Sequence, residues 1–170
     1  MNPGCCCPED HSAVRKTHRH QGECSVDETS LDRSGYHYFL PITTRWMDND
    51  IYGHVNNVVY YSYFDTIANH FLITQGGLDI HDGDIIGFVV NSQCSYKSAI
   101  AYPDRIEGGF RVNRLGNSSV EYGIGIFKEG EDAACAVGTF THVFVDRDTQ
   151  RPTPIPATMR QALESVLVAD

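Results

Sequence analysis

The chain has 170 residues, a formal net charge of −9 and 41% apolar residues. This length and apolar content suffice for one domain with its own hydrophobic core. The acidic balance argues against a nucleic-acid-binding protein, because such proteins need a basic surface. No apolar run approaches the roughly 20 residues that a membrane-spanning helix needs.

The N-terminal region has the features of a polar tail. Residues 1–34 lack hydrophobic periodicity and predict a disordered tail ahead of a domain spanning residues 35–170. Neither a signal peptide nor a transit peptide is indicated, so we expect a cytoplasmic protein. The tail contains a group of potential metal ligands, namely Cys5, Cys6, Cys7, His11, His18, His20 and Cys24. Their spacing matches no common zinc pattern, so we predict no metal site.

The first two elements of the domain differ in their hydrophobic period. Residues 36–46 are dense in aromatic and β-branched residues, which predicts a strand. In residues 57–74, apolar side chains such as Tyr60, Phe64 and Phe71 recur every three or four positions, which predicts a long helix with an apolar face. Gly76 and Gly77 are suited to end that helix.

Four further β-like segments follow the helix, at residues 85–97, 104–115, 118–127 and 133–145. Turn residues separate them, and helical crossovers between them are not indicated, so the sheet should be antiparallel. A proline-rich segment at residues 151–156 leads into a short helix at residues 158–168. The sequence therefore predicts an α+β fold in which about five strands wrap around one long helix.

A polar loop between the first strand and the helix carries the residues best suited to chemistry. It contains Asp48 and Asp50, and Gly53 permits a tight turn. Asn56 or Asn57 would cap the helix, whose first N–H groups favour negative charge. A carboxylate near such a helix start suits attack on a carbonyl whose oxygen becomes anionic.

The chain resembles hotdog-fold acyl-CoA thioesterases in its element order and in one loop sequence. That sequence is RWMDNDIYGHVNN at residues 45–57, and it is followed by Tyr60 and a Tyr-Phe-Asp run at residues 63–65. The resemblance is to the 4-hydroxybenzoyl-CoA thioesterase type, and the proline-rich segment before the last helix is similar to the end of that family's fold. It covers about residues 36–168. One departure is Asn49, where such sequences often have Thr or Cys.

The resemblance implies hydrolysis of a fatty or aromatic acyl-CoA thioester to the free acid and CoA, without a cofactor or a metal. Asp50 would be the catalytic carboxylate, and the Asn57 N–H would orient the thioester carbonyl. Further substrate contacts are expected from the residues around them, namely Gly53, His54, Val55, Asn56 and Tyr60. The resemblance also implies a homodimer or homotetramer with sheets joined edge to edge and acyl-CoA at a subunit interface.

Several residues have more than one interpretation. Asp48 is favoured as a structural residue that bonds loop N–H groups or pairs with Arg45. Asp65 is a reserve carboxylate, because some hotdog thioesterases take theirs from the central helix, although an exposed helix residue is the preferred interpretation. Cys94 and Cys135 are best explained as buried structural thiols. The basic residues that could meet CoA phosphates are Lys97, Arg105, Arg111, Arg114 and Arg151.

Two alternative functions stay open at this point. One is a hotdog dehydratase or hydratase acting on 3-hydroxyacyl thioesters with His54 as its base, since histidine is the usual base near neutral pH. The other is a non-catalytic acyl-CoA-binding protein. A serine hydrolase is not supported, because the chain lacks a Gly-x-Ser-x-Gly run.

Overall fold

Five strands form one sheet in the computed structural model, which describes residues 32–168. They are β1 (Tyr38–Thr43), β2 (Ile85–Tyr96), β3 (Arg105–Leu115), β4 (Ser119–Lys128) and β5 (Ala136–Asp146). Their order across the sheet is β1-β3-β4-β5-β2, and every neighbouring pair is antiparallel. The predicted antiparallel sheet is therefore confirmed.

Two α-helices complete the fold, α1 (Asn57–Thr74) and α2 (Ala157–Glu164). The bounds of α1 agree with the prediction, whereas α2 ends four residues before the predicted position 168. The reason is that the chain after α2 bonds to β3 instead of continuing the helix. The Val112 N–H donates to the Val166 carbonyl at 2.9 Å, and the Val168 N–H donates to the Val112 carbonyl at 3.0 Å. None of the described helices is long and apolar enough to cross a membrane.

Helix α1 packs closely against one face of the sheet. Its buried side chains include Phe64 and Ile67, which are completely shielded from solvent. Glycines stand opposite both of them, because a Cβ at Gly108 would overlap Ile67 and a Cβ at Gly138 would overlap Phe64. The absence of side chains at these two positions of β3 and β5 lets the helix lie against the backbone of the sheet.

The first described residues lie on the opposite face of the sheet. Asp32 forms a β-bridge with Ala133. The Arg33 guanidinium stacks on the ring of Phe39, 4.5 Å from its centroid, and forms an ion pair with Glu107. The packed region therefore begins a few residues before position 35. The remainder of the predicted tail, with its cysteines and histidines, lies outside the described residues.

The loop between β1 and α1 is fixed by Asp48, which is only 1% exposed. Its carboxylate accepts hydrogen bonds from the Arg45 N–H at 2.8 Å and from the Tyr63 hydroxyl at 2.8 Å. It also forms an ion pair with the Arg45 guanidinium at 2.9 Å. Burial alone would raise the pKa of this carboxyl, but the bonds from Arg45 and Tyr63 outweigh burial and the pKa lies below its usual value. The structural role expected for Asp48 agrees with this geometry.

His142 is a buried titratable group on β5. It is 2% exposed, and its ring contacts Tyr122, Phe140 and Phe144. Within residues 32–168, its Nε2 atom has no hydrogen-bond partner. Burial lowers the pKa of His142 from 6.5 to about 4, because the apolar surroundings disfavour the charged ring.

Replacing Asp48 should weaken the fold. In Asp48→Ala, the buried Tyr63 hydroxyl and the Arg45 N–H lose their acceptor, and leaving a buried donor unsatisfied costs about 1–3 kcal/mol. Urea denaturation should show that loss in the free energy of unfolding. The matched control is Asp82→Ala, which removes an exposed carboxylate. Equal stability of the two variants would contradict the anchoring role.

Stability should depend on pH through His142. Since the folded-state pKa is lowered, the unfolded chain binds the proton more readily, and the free energy of unfolding should fall as pH decreases from about 6.5 to about 4. The shift corresponds to a loss of roughly 3 kcal/mol. His142→Phe should remove this part of the pH dependence, whereas the same substitution at the exposed His81 should retain it. An unchanged pH profile in His142→Phe would refute the assignment.

Candidate active site

A cavity of about 500 Å³ lies between the polar loop, the first turn of α1 and the end of β2. Nine residues line it, namely Asp50, His54, Val55, Asn57, Tyr60, Tyr96, Lys97, Ser98 and Ala99. Six of these were named from the sequence, five as catalytic or substrate-binding residues and Lys97 as a candidate for the CoA phosphates. Gly53, Asn56 and Asp65 are not among the residues that line it.

Asp50 is held in a tight turn shortly before the N-terminus of α1. Its N–H donates to the His54 carbonyl at 2.8 Å, and its Oδ1 accepts from the Tyr52 N–H at 2.8 Å. Gly53 closes this turn with a φ of +83°, a value that glycine adopts without strain. Within residues 32–168 the second carboxylate oxygen of Asp50 has no hydrogen-bond partner. One oxygen therefore fixes the side chain while the other is available to a ligand.

The first turn of α1 offers one unused backbone donor. Asn56 is the helix cap, and its side chain accepts from the Val58 N–H at 3.2 Å. The Asn56 carbonyl accepts from the Val59 N–H at 2.9 Å. Among the described residues, no acceptor is present for the Asn57 N–H. A donor of this kind at a helix start is suited to hold an oxygen that gains negative charge.

Tyrosine rings form the wall of the cavity beside this donor. Tyr60 is 4% exposed, and burial raises its pKa to about 12. The ring of Tyr96 meets that of Tyr60 edge-on, with centroids 5.0 Å apart. The Tyr96 hydroxyl donates to the Asn57 carbonyl at 3.0 Å. The sequence did not indicate Tyr96, Ser98 and Ala99. They reach the cavity only because strand pairing brings the end of β2 close to a loop about 40 residues earlier in the chain.

Asn49, the residue that departs from the family pattern, has a structural contact. Its side-chain oxygen accepts from the Tyr102 N–H at 3.0 Å. The bond ties the polar loop to the connection between β2 and β3. Next to it, Val55 donates its N–H to the Ile100 carbonyl at 2.7 Å. Both bonds hold the polar loop against the segment that follows β2.

Asp65 occupies a different place from Asp50. It is exposed on α1, and its Oδ1 accepts from the Asn69 side chain at 3.0 Å. His54 is also exposed, but it lines the cavity together with Asp50. In this chain, therefore, Asp50 is the carboxylate that shares a cavity with the unused helix donor.

The candidate basic residues are not equivalent. Lys97 lines the cavity. Arg111 is 9% exposed and stacks on Tyr36, at 5.3 Å from the ring centroid, while Arg105 pairs with Glu129 at 3.7 Å. Of these three residues, only Lys97 is placed to meet a ligand in the cavity.

The remaining potential chemistry in the described residues is limited. Cys94 and Cys135 are free thiols, half-buried and buried respectively, and desolvation raises the pKa of Cys94. Residues 32–168 contain no group of three His, Cys, Asp or Glu side chains that could hold a metal ion. A second cavity of about 540 Å³ borders Thr44, Tyr102 and Arg105, but none of the predicted catalytic or thioester-binding residues lines it.

Comparison with known proteins identifies a family for this chain. Residues 44–163 match the model of the thioesterase-like superfamily. No curated protein matches the chain significantly.

Solved structures support the same assignment. The PA5185 protein from Pseudomonas aeruginosa strain PAO1 is 55% identical, with a TM-score of 0.81 over 82% of this chain and 97% of that chain. The PA2801 protein from Pseudomonas aeruginosa is 28% identical, with a TM-score of 0.69 over 74% and 97%. Slr0204, a 1,4-dihydroxy-2-naphthoyl-CoA thioesterase from Synechocystis, shares the fold at 14% identity, with a TM-score of 0.68 over 74% and 94%. The chain therefore belongs to the thioesterase-like superfamily, and it is a thioester hydrolase with the hotdog fold.

Proposed function

We propose that the protein hydrolyses an acyl-CoA thioester to a carboxylic acid and CoA, as a member of the 4-hydroxybenzoyl-CoA thioesterase type. The observation that carries this proposal is that Asp50 and Asn57 line the same cavity. Acyl transfer needs a nucleophile or base and an oxyanion donor around one reacting carbon. Asp50 and the Asn57 N–H would fill these two roles.

The Asn57 N–H acts on the carbonyl oxygen of the thioester. As the carbonyl carbon becomes tetrahedral, its oxygen gains negative charge, and a preorganised donor stabilises that charge more than it stabilises the substrate. One such donor is worth ~10²–10³ in rate. The positive end of the α1 dipole adds to the effect.

Asp50 acts on the carbonyl carbon by one of two routes. Its carboxylate attacks the carbon and expels CoA thiolate, which leaves a mixed anhydride that water then hydrolyses. In the other route, it takes a proton from a water molecule that attacks the carbon directly. After a single turnover in ¹⁸O-labelled water, label in Asp50 would indicate the anhydride route, because only attack of water on the enzyme carbonyl of the anhydride can place it there.

The cavity walls suit a fatty or aromatic acyl group. The rings of Tyr60 and Tyr96 offer an apolar surface beside the Asn57 donor. Phe64 and Ile67, further along the packed side of α1, are fully shielded from solvent, so we place the acyl group against the tyrosine wall and outside the core. Lys97 would meet a phosphate of CoA at the rim.

The protein is further proposed to form a homodimer through β2. This strand lies at an edge of the sheet and exposes three consecutive apolar side chains, Phe88, Val89 and Val90, at 41%, 48% and 58%. An apolar edge strand is a template for pairing with another strand. Trp46 and Ile51, in the loop beside the cavity, are 79% and 92% exposed and would add to such a contact.

Removing the charge of Asp50 should abolish most of the activity. Asp50→Asn keeps the size of the side chain, and its oxygen can still accept from the Tyr52 N–H, so the fold should persist. We expect turnover to fall at least about a hundredfold, the low end of a general-base contribution. Release of CoA thiol should be measured across short-chain, long-chain and aromatic CoA esters.

The same assay distinguishes the alternatives. If Asp65→Asn loses activity while Asp50→Asn keeps it, the carboxylate comes from α1 and the proposal fails. Hydration of crotonyl-CoA that is lost in His54→Ala, with no thiol release by the unmodified protein, would indicate a hydratase. Tight binding of thioesters without any released CoA would indicate a binding protein.

The dimer is tested by sedimentation. Val89→Lys places a charge on the β2 edge and should shift the protein from dimer to monomer, with at least a tenfold weaker association. The matched control is Ile80→Lys, since Ile80 is similarly exposed at 51% but lies in a loop outside β2. A dimer that persists in Val89→Lys would show that another surface joins the subunits.

A further inference from the structure

We propose that Tyr96 is a positioning residue that holds the first turn of α1 in its reactive orientation. The inference rests on the proposed function of Asp50 and Asn57. The hydroxyl of Tyr96 donates to the Asn57 carbonyl at 3.0 Å. Tyr96 is therefore hydrogen-bonded to Asn57, the residue whose N–H is the unused donor in the cavity.

The first residue of a helix needs external contacts to keep its orientation. Its N–H has no partner inside the helix, and helix ends fray. The residues before Asn57 are fixed by the bond from the Asn56 N–H to the Asp48 carbonyl, at 2.8 Å. The hydrogen bond that the Val58 N–H donates to the Asn56 side chain is long, at 3.2 Å. The Tyr96 hydroxyl adds a contact from a different element of the fold to Asn57 itself.

Tyr96 is held firmly enough to perform this task. Its backbone pairs with Ala136 of β5, near the end of β2. Its ring rests edge-on against the buried ring of Tyr60. A phenol ring has few rotatable bonds, so these two contacts determine where the hydroxyl lies. Desolvation and the neighbouring Cys94 thiol raise the pKa of Tyr96 to about 12, so the hydroxyl keeps the proton that it donates.

The contribution should appear in the transition state. The substrate carbonyl is a weak acceptor, whereas the tetrahedral intermediate carries an oxyanion that depends on the direction of the Asn57 N–H. A mobile first turn of α1 would therefore weaken the hydrogen bond to the oxyanion more than the hydrogen bond to the substrate carbonyl. Loss of the Tyr96 hydroxyl should therefore lower kcat and leave KM nearly unchanged.

The experiment compares Tyr96→Phe with Tyr102→Phe. Tyr96→Phe preserves the ring against Tyr60 and removes the donor. We expect kcat to fall about three- to tenfold, as loss of one hydrogen bond would give, with KM within about twofold of the unmodified protein and the same melting temperature. Tyr102 is exposed to a similar extent, 41% against 46%, and lies outside the cavity. Tyr102→Phe should keep the original kcat.

An NMR measurement tests the hydrogen bond without relying on activity. The Val58 amide shares a peptide group with the Asn57 carbonyl, so its signal should shift in Tyr96→Phe and stay in place in Tyr102→Phe. Unchanged Val58 and Asn57 signals, an unchanged kcat, or a rise in KM that accounts for the whole loss would each overturn the positioning role. Absence of thiol release by the unmodified protein would instead refute the proposed function, and the NMR comparison would still decide whether Tyr96 holds the turn.

Discussion

The hydrogen bond between the buried Asp48 carboxylate and the Tyr63 hydroxyl joins the polar loop to the packed side of α1. Tyr63 lies well inside the helix, so the bond fixes the loop relative to the helix axis and not only to its first residue. Arg45 closes the other side of the carboxylate. Asp50, two residues further on, is consequently held at the helix start. The two aspartates thus have divided roles, with one binding the loop in place and the other facing the cavity.

Much of the fold was predictable from local patterns. The bounds of α1 agree with the prediction, and each strand begins and ends within three residues of its predicted position. Strong periodicity and turn residues at the element ends explain this agreement. The predicted length of α2 was wrong because Val166 and Val168 bond to β3. Sequence periodicity carries no information about such a competing backbone partner.

The candidate site was predictable only where its residues are close in sequence. Asp50 and Asn57 belong to one short segment, and the structure brings both to one cavity. Tyr96 reaches the site because β2 pairs with β5, and the partners in its bond to Asn57 are 39 residues apart. The bond between Asn49 and Tyr102 spans 53 residues. Contacts of this range depend on the assembled sheet, so a pattern in one segment could not indicate them.

Gly108 and Gly138 bear on how this scaffold could diversify. At both positions α1 packs directly on the backbone of the sheet, so van der Waals contact sets the distance between helix and sheet. A larger residue at either position would not fit without moving the helix. Laboratory evolution toward bulkier acyl groups should therefore accumulate its changes around the rim, at positions such as Ser98 and Ala99. The contact between α1 and the sheet would stay constant while the acyl-group selectivity of the enzyme changes.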